Sequence, residues 1–168
     1  ITFNSTLNGG FGLTTSVIGG QSLTLNGVVG GTTALTSLTT SATGTTYING
    51  GQVRTSSGAQ NYNNSVFIGA NTILGGAGTT GAININSTLD SFDATPRALT
   101  LTATGMTTLT GNLGNTNILS GITVTNSAAI NVATITTTAL QAYLGVTTLG
   151  VATTTLNTNA SGTITFGN

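Results

Sequence analysis

The sequence predicts an all-β fold, a parallel β-helix (β-solenoid) of about eight coils of roughly 20 residues each. Three observations carry this expectation. The composition favours strands and turns over helices, short segments alternate apolar residues with Thr, and the chain corresponds to itself about 82 residues further along.

Composition sets the class. With 38% hydrophobic residues in 168, there is enough apolar side chain for a core, and more than disordered chains carry. The polar part is unusual, because Lys and Arg together number 2, Asp and Glu together number 2, and His, Cys and Trp are absent. Ordinary soluble domains are about a quarter charged. Thr, Asn, Ser and 25 Gly take the place of charge. Thr is β-branched and suits a pleated surface, while Asn and Gly accept the left-handed backbone of tight turns.

A net charge of zero gives no reach toward nucleic acid or anionic lipid, so neither is expected as a partner. No run approaches the ~18 apolar residues of a membrane helix, and membrane insertion is not expected. The N-terminus has no secretory signal pattern, so export requires a signal outside this segment.

The repeat is read directly. Ile1-Thr2-Phe3-Asn4-Ser5-Thr6-Leu7-Asn8 recurs as Ile83-Asn84-Ile85-Asn86-Ser87-Thr88-Leu89-Asp90. Leu25, Gly27, Gly30, Thr32, Leu35 and Leu38 correspond to Leu109, Gly111, Gly114, Thr116, Leu119 and Ile122. Gln60 and Tyr62 correspond to Gln141 and Tyr143, and residues 81–85 reappear at 162–166. The expected organisation is one solenoid copy over residues 1–82, a second over 83–163, and the start of a third at 164–168.

Within each copy, Gly pairs such as Gly9-Gly10, Gly30-Gly31 and Gly50-Gly51 mark turns at intervals of about ten residues. Between them, Ser22-Leu23-Thr24-Leu25 and Ile122-Thr123-Val124-Thr125 alternate, which puts Leu25, Leu35, Leu38, Leu109, Leu119 and Ile122 inside and most Thr outside. Four coils per copy, stacked at about 4.8 Å, make a rod of roughly 40 Å. A β-sandwich also uses short alternating strands, but it has no reason to repeat at this period or to present so little charge at its edges.

Residues 30–40, followed by Ile48-Asn49-Gly50-Gly51 and Gly58-Ala59-Gln60-Asn61-Tyr62-Asn63, resemble the repeat region of filamentous-haemagglutinin-like exoproteins. These are large surface adhesins of Gram-negative bacteria, exported by two-partner secretion or as autotransporters. The first copy carries the resemblance clearly; the second is more diverged, notably at 138–150. The resemblance implies a right-handed β-helix at the cell surface or outside the cell. Other parts of the parent protein would meet a host or neighbouring cell, and no catalytic residues carry over.

The remaining motifs have simpler readings. Gly76-Ala77-Gly78-Thr79-Thr80-Gly81 fits GxGxxG but lacks the following helix and distal acid of a dinucleotide site, so it reads as a turn. Asp90, Asp93 and Arg97, beside the only Pro, read as a surface loop with solvated or weakly paired charges. Asn4, Asn63, Asn86 and Asn159 begin N-x-S/T sequons, which a chain this rich in Asn, Ser and Thr generates freely.

Tyr47, Tyr62 and Tyr143 could stack on sugars, though the repeat spacing fits Tyr62 and Tyr143 equally well as structural rungs. Outward pairs such as Thr100 with Thr102 and Thr123 with Thr125 raise an ice-binding solenoid as the alternative function. With no His, Cys, Lys or Glu, the usual bases, ligands and activated nucleophiles are missing. No enzyme activity, metal or cofactor is expected. The expected role is a structural, filament-forming segment whose partners are copies of itself or adjacent repeats stacked end to end.

Overall fold

The computed structural model of the chain describes residues 1–76, 81–159 and 161–167. It is a parallel β-solenoid of about seven turns of ~23 residues, with no helix among the described residues. Each turn passes over three faces. The first face carries Thr2–Phe3, Ser22–Leu25, Thr45–Ile48, Ser65–Ile68 and Leu89–Ser91, then continues through single bridges at Leu113 to Thr134–Thr137 and Thr155–Thr158. The second begins with bridges Leu7 to Val29 to Val53 and continues through Thr72–Gly75, Ala98–Thr102, Gly121–Val124, Gln141–Tyr143 and Ile164–Phe166. The third runs from Leu13–Thr14 through Leu38–Thr39, Gln60–Tyr62, Ile83–Ile85, Thr107–Leu109 and Ala128–Ile130 to Thr147–Leu149. All pairings between these strands are parallel.

The register follows from alternation. Because successive side chains on a strand point to opposite faces, Leu23 and Leu25 turn inward while Ser22 and Thr24 turn out. Stacking then places like above like, as in the ladder Tyr62, Ile85, Leu109, Ile130, Leu149 on the third face. All six residues expected inside, Leu25, Leu35, Leu38, Leu109, Leu119 and Ile122, are buried. Each fully buried aliphatic side chain contributes about 1.5–3 kcal/mol. Several Thr, including Thr46, Thr55, Thr72, Thr107 and Thr137, also lie inside. Three of these close their hydroxyls locally, Thr55 onto the Gly58 carbonyl, Thr72 onto that of Ala70 and Thr137 onto that of Ala139.

Corners between faces are held by backbone contact. A Cβ on Gly50 would lie 2.1 Å from the Gly27 carbonyl oxygen one turn below, and one on Gly81 would lie 2.0 Å from that of Gly58. Only hydrogen fits there, so Gly sets the closest approach of successive turns.

The coils are longer than the expected 20 residues because some corners carry loops, at 30–35, 92–97 and 114–119. One consequence is that the self-correspondence does not span four turns. Phe3 lies on the first face against Leu25, Ile85 on the third against Tyr62 and Leu109, and Phe166 on the second against Tyr143. Each shift of about 82 residues advances three whole turns and two further faces, so matched residues are displaced by one face around the axis.

Their local contacts survive the displacement. Asn8 Oδ1 accepts from the Thr32 amide at 2.9 Å, and Asp90 Oδ1 from the Thr116 amide at 3.1 Å. Gly30 and Gly114, which open the two matching loops, have φ of 73° and 64°, a conformation Gly adopts without strain.

Candidate functional site

The interior holds a polar network rather than a reactive one. Gln60 lies on the third face, where its side-chain amide donates to the Val53 carbonyl at 3.0 Å and its Oε1 accepts from the Tyr62 hydroxyl at 2.9 Å. Gln141, on the second face, repeats this with the Ile135 carbonyl at 3.1 Å and the Tyr143 hydroxyl at 3.1 Å. Both tyrosines are fully shielded from solvent, and burial pushes both phenols well above their ordinary pKa. They are structural rungs, and the sugar-stacking reading fails for these two because no ligand reaches them.

The charged group expected as one surface loop divides. Asp90 belongs to strand Leu89–Ser91 and is buried, its carboxylate fixed by the Thr116 amide. Asp93 and Arg97 stay in the loop and pair at 3.1 Å. Hydrogen bonding from the Thr95 amide, aided by the Arg97 guanidinium, holds the Asp93 carboxyl below its usual range. Arg97 also donates from Nε to the Gly69 carbonyl at 2.9 Å and from Nη1 to that of Thr95. Among the described residues no three His, Cys, Asp or Glu side chains gather where a metal ion could be held.

Outer faces carry ladders of neutral side chains. Asn26 donates to Asn4 at 3.1 Å and Asn49 to Asn26 at 2.8 Å; Asn86 donates to Asn63 at 2.7 Å. The sequon residues Asn4, Asn86 and Asn159 are exposed and Asn63 is half-buried, its amide nitrogen held by the Thr40 carbonyl. The Thr pairs do not align into a long column, since Thr100 and Thr123 lie between Ile73 below and Ala142 above. Residues 77–80 of the glycine-rich run lie outside the described residues.

An outward-facing aromatic group, with Phe92 exposed and Tyr47 and Phe67 half-buried, was not evident from the sequence. Tyr47 and Phe67 are partners in neighbouring strands of the first face, and their rings stack at 5.7 Å. Phe92, leading into the charged loop, meets Tyr47 edge-on at 5.5 Å. The alternation of Ser65–Ile68 does put Phe67 outside, but the approach of Phe92 is a product of the loop, which periodicity does not encode.

The rims of the solenoid are the other candidate. Leu149 tops the third-face ladder and is 61% exposed, and Phe166 tops the second-face ladder at 52% exposed. At the opposite rim Phe3, Leu7 and Leu13 pack against the core from one side only. Comparison with known proteins returns no match: no family model, curated protein or solved structure corresponds to the chain.

Proposed function

We propose that this chain is a structural segment of an extracellular or cell-surface, adhesin-like fibre, in which further coils continue the stack at one or both rims. One observation carries the reading: inward ladder positions remain apolar up to the outermost described turns, at Leu149 and Phe166 on one rim and at Phe3, Leu7 and Leu13 on the other. Solenoid ends that face water are normally blunted by polar or charged residues. Here another coil would bury these side chains and pair the open strand edges. That coil is supplied either by more of the same polypeptide or by a second copy in a head-to-tail contact that does not close.

Electron microscopy and light scattering on the purified segment test this. End-to-end rods are expected, and Phe166→Asp or Leu149→Asp should shorten them to single units while leaving the β circular dichroism intact. Compact monomers with ordered, water-exposed terminal turns and no neighbouring protein would overturn the reading.

A further inference from the structure

The most unusual surface lies on the first face, around residues 92–97. Two of the chain's four charged side chains lie in this loop, a third, Asp90, in the strand leading into it, and the only proline is among its residues. These residues brace one short excursion. Asp93 caps the Thr95 amide at 2.8 Å, Arg97 ties the loop to Gly69 on the turn below, and the Ser91 hydroxyl accepts from the Arg97 amide at 2.9 Å and donates to the Ile118 carbonyl at 2.9 Å. The result is a fixed platform that holds Phe92, 52% exposed, edge-on to Tyr47, which in turn stacks on Phe67. Core formation does not require this, because all three rings point away from the core.

On the other side of the loop is a cleft of about 390 Å³, lined by Ala94, Asn115, Thr116, Asn117, Thr136 and Asn159 among others. Asn117 joins the two parts, its Nδ2 lying 3.5 Å from the Phe92 carbonyl oxygen. An apolar aromatic corner therefore adjoins a pocket of neutral amides and hydroxyls, the donors and acceptors with short side chains.

We infer that the aromatic corner of Tyr47, Phe67 and Phe92, together with this cleft, is a binding site for a neutral oligosaccharide. A pyranose ring has an apolar face of C–H groups that lies against an aromatic ring, and a rim of hydroxyls that both donate and accept. The corner matches the first and Asn115, Thr116 and Asn117 match the second. The other common occupants fit less well. An anionic polymer needs clustered cations, whereas the one arginine here is already paired with Asp93. A protein partner needs an apolar patch at the centre of roughly 800 Å² on each side, far more than three partly covered rings supply. The aromatic corner lies on the outer side of the solenoid, whole turns away from both rims, and of the polar groups named in the cleft only Asn159 belongs to the outermost described turn, so the inference does not rest on whether coils continue end to end.

The test is calorimetric and tyrosine-fluorescence titration of the purified chain with cellohexaose, maltohexaose and chitohexaose, and with a sulfated heparin hexasaccharide as the anionic comparison. Tyr62 and Tyr143 are buried, so a fluorescence change on binding reports Tyr47. Saturable binding of at least one neutral hexasaccharide is expected. Phe92→Ala should weaken it about tenfold or more, the worth of one good aromatic contact, and Asn115→Ala should weaken it measurably. Phe11→Ala, at an 82% exposed aromatic far from the loop, should leave it unchanged. Thermal melts of each variant separate lost binding from lost folding, and Phe92→Tyr, which keeps the ring, should restore binding. No binding of any neutral sugar, binding of the sulfated sugar alone, or binding indifferent to both Phe92→Ala and Asn115→Ala would overturn the inference.

Discussion

The buried hydroxyl of Tyr62 donates to Gln60 Oε1 at 2.9 Å, two residues earlier on the same strand, and Tyr143 does the same to Gln141 one face around the solenoid. Tyr62→Phe removes the donor but leaves the glutamine oxygen buried. The expected cost is about 1–3 kcal/mol, the penalty of an orphaned buried polar atom. Tyr143→Phe should cost a similar amount, since Gln141 Oε1 accepts from the Tyr143 hydroxyl at the equivalent place. Urea unfolding of each variant measures this; a cost near zero for both would mean that the network contributes no net stability.

Stability should be flat across neutral pH and fall in alkali. Burial raises the Tyr62 and Tyr143 phenols above the ordinary value of 10.0, so the folded state binds these protons more tightly than the unfolded chain. The stabilisation is complete below about pH 10 and is lost as pH rises beyond it. Few other groups titrate, because the chain has no His and only two carboxylate side chains. Midpoints of urea unfolding between about pH 6 and pH 9 should coincide, then drop by pH 11. Tyr62→Phe with Tyr143→Phe should flatten the alkaline fall.

Much of this architecture was legible in the sequence, and for a definite reason. In a parallel solenoid the period-two alternation of each strand is repeated coil after coil, so Leu25, Leu38 and Leu109 could be placed inside from spacing alone. The ~82-residue match was legible for the same reason, but the number of turns it spans was not. Strand content fixes the three faces, whereas corner lengths are set by loops such as 30–35 and 114–119, whose residues carry no periodic signal. The charged residues were readable as a group but not as a geometry. Asp90 follows Leu89 in a strand and repeats the role of Asn8, while Asp93 and Arg97 leave the sheet. Phe92 meets Tyr47 across 45 positions of sequence, through a loop no other part of the chain repeats.

Two inward threonines should respond to valine with opposite signs. Thr107 Oγ1 is buried with no hydrogen-bond partner, so Thr107→Val replaces an unsatisfied hydroxyl by a methyl group of similar size. It should stabilise the fold by about 1 kcal/mol. Thr46 is equally buried but donates to Asn64 Oδ1 at 2.9 Å, and Asn64 also accepts from Thr40. Thr46→Val should cost about 1 kcal/mol. Equal effects from the two substitutions would show that burial, not hydrogen bonding, decides at these sites.

Glycine-to-alanine changes should likewise divide by contact. The Gly50 position has the Gly27 backbone 2.1 Å from where a Cβ would sit, and backbone cannot yield as a side chain can. Gly50→Ala should destabilise by about 1–3 kcal/mol through forced separation of two turns. Gly19 has nothing within 4 Å, and Gly19→Ala should gain about 0.4–1 kcal/mol by restricting the unfolded chain. Thermal melts of both variants decide it, and a stabilising Gly50→Ala would refute the close corner packing.

The displacement of matched residues by one face makes a prediction about longer assemblies. If each unit advances three turns and two faces, a tandem array of residues 1–82 should carry each loop equivalent to 30–35 a third of a turn around the axis from the one before. The axial rise per unit should be about 17–18 Å, from 4.8 Å per turn. Only the fourth unit would bring the loop back to the first edge. The displacement works because each of the three faces turns an apolar ladder inward, so one strand sequence can occupy any of them. Phe3, Ile85 and Phe166 already do so on three different faces. Cryo-electron microscopy of the array gives the rotation directly. Loops aligned along a single edge, with a rise near 19 Å and no rotation, would mean that the unit closes on four whole turns and that the displacement is an accident of this stretch.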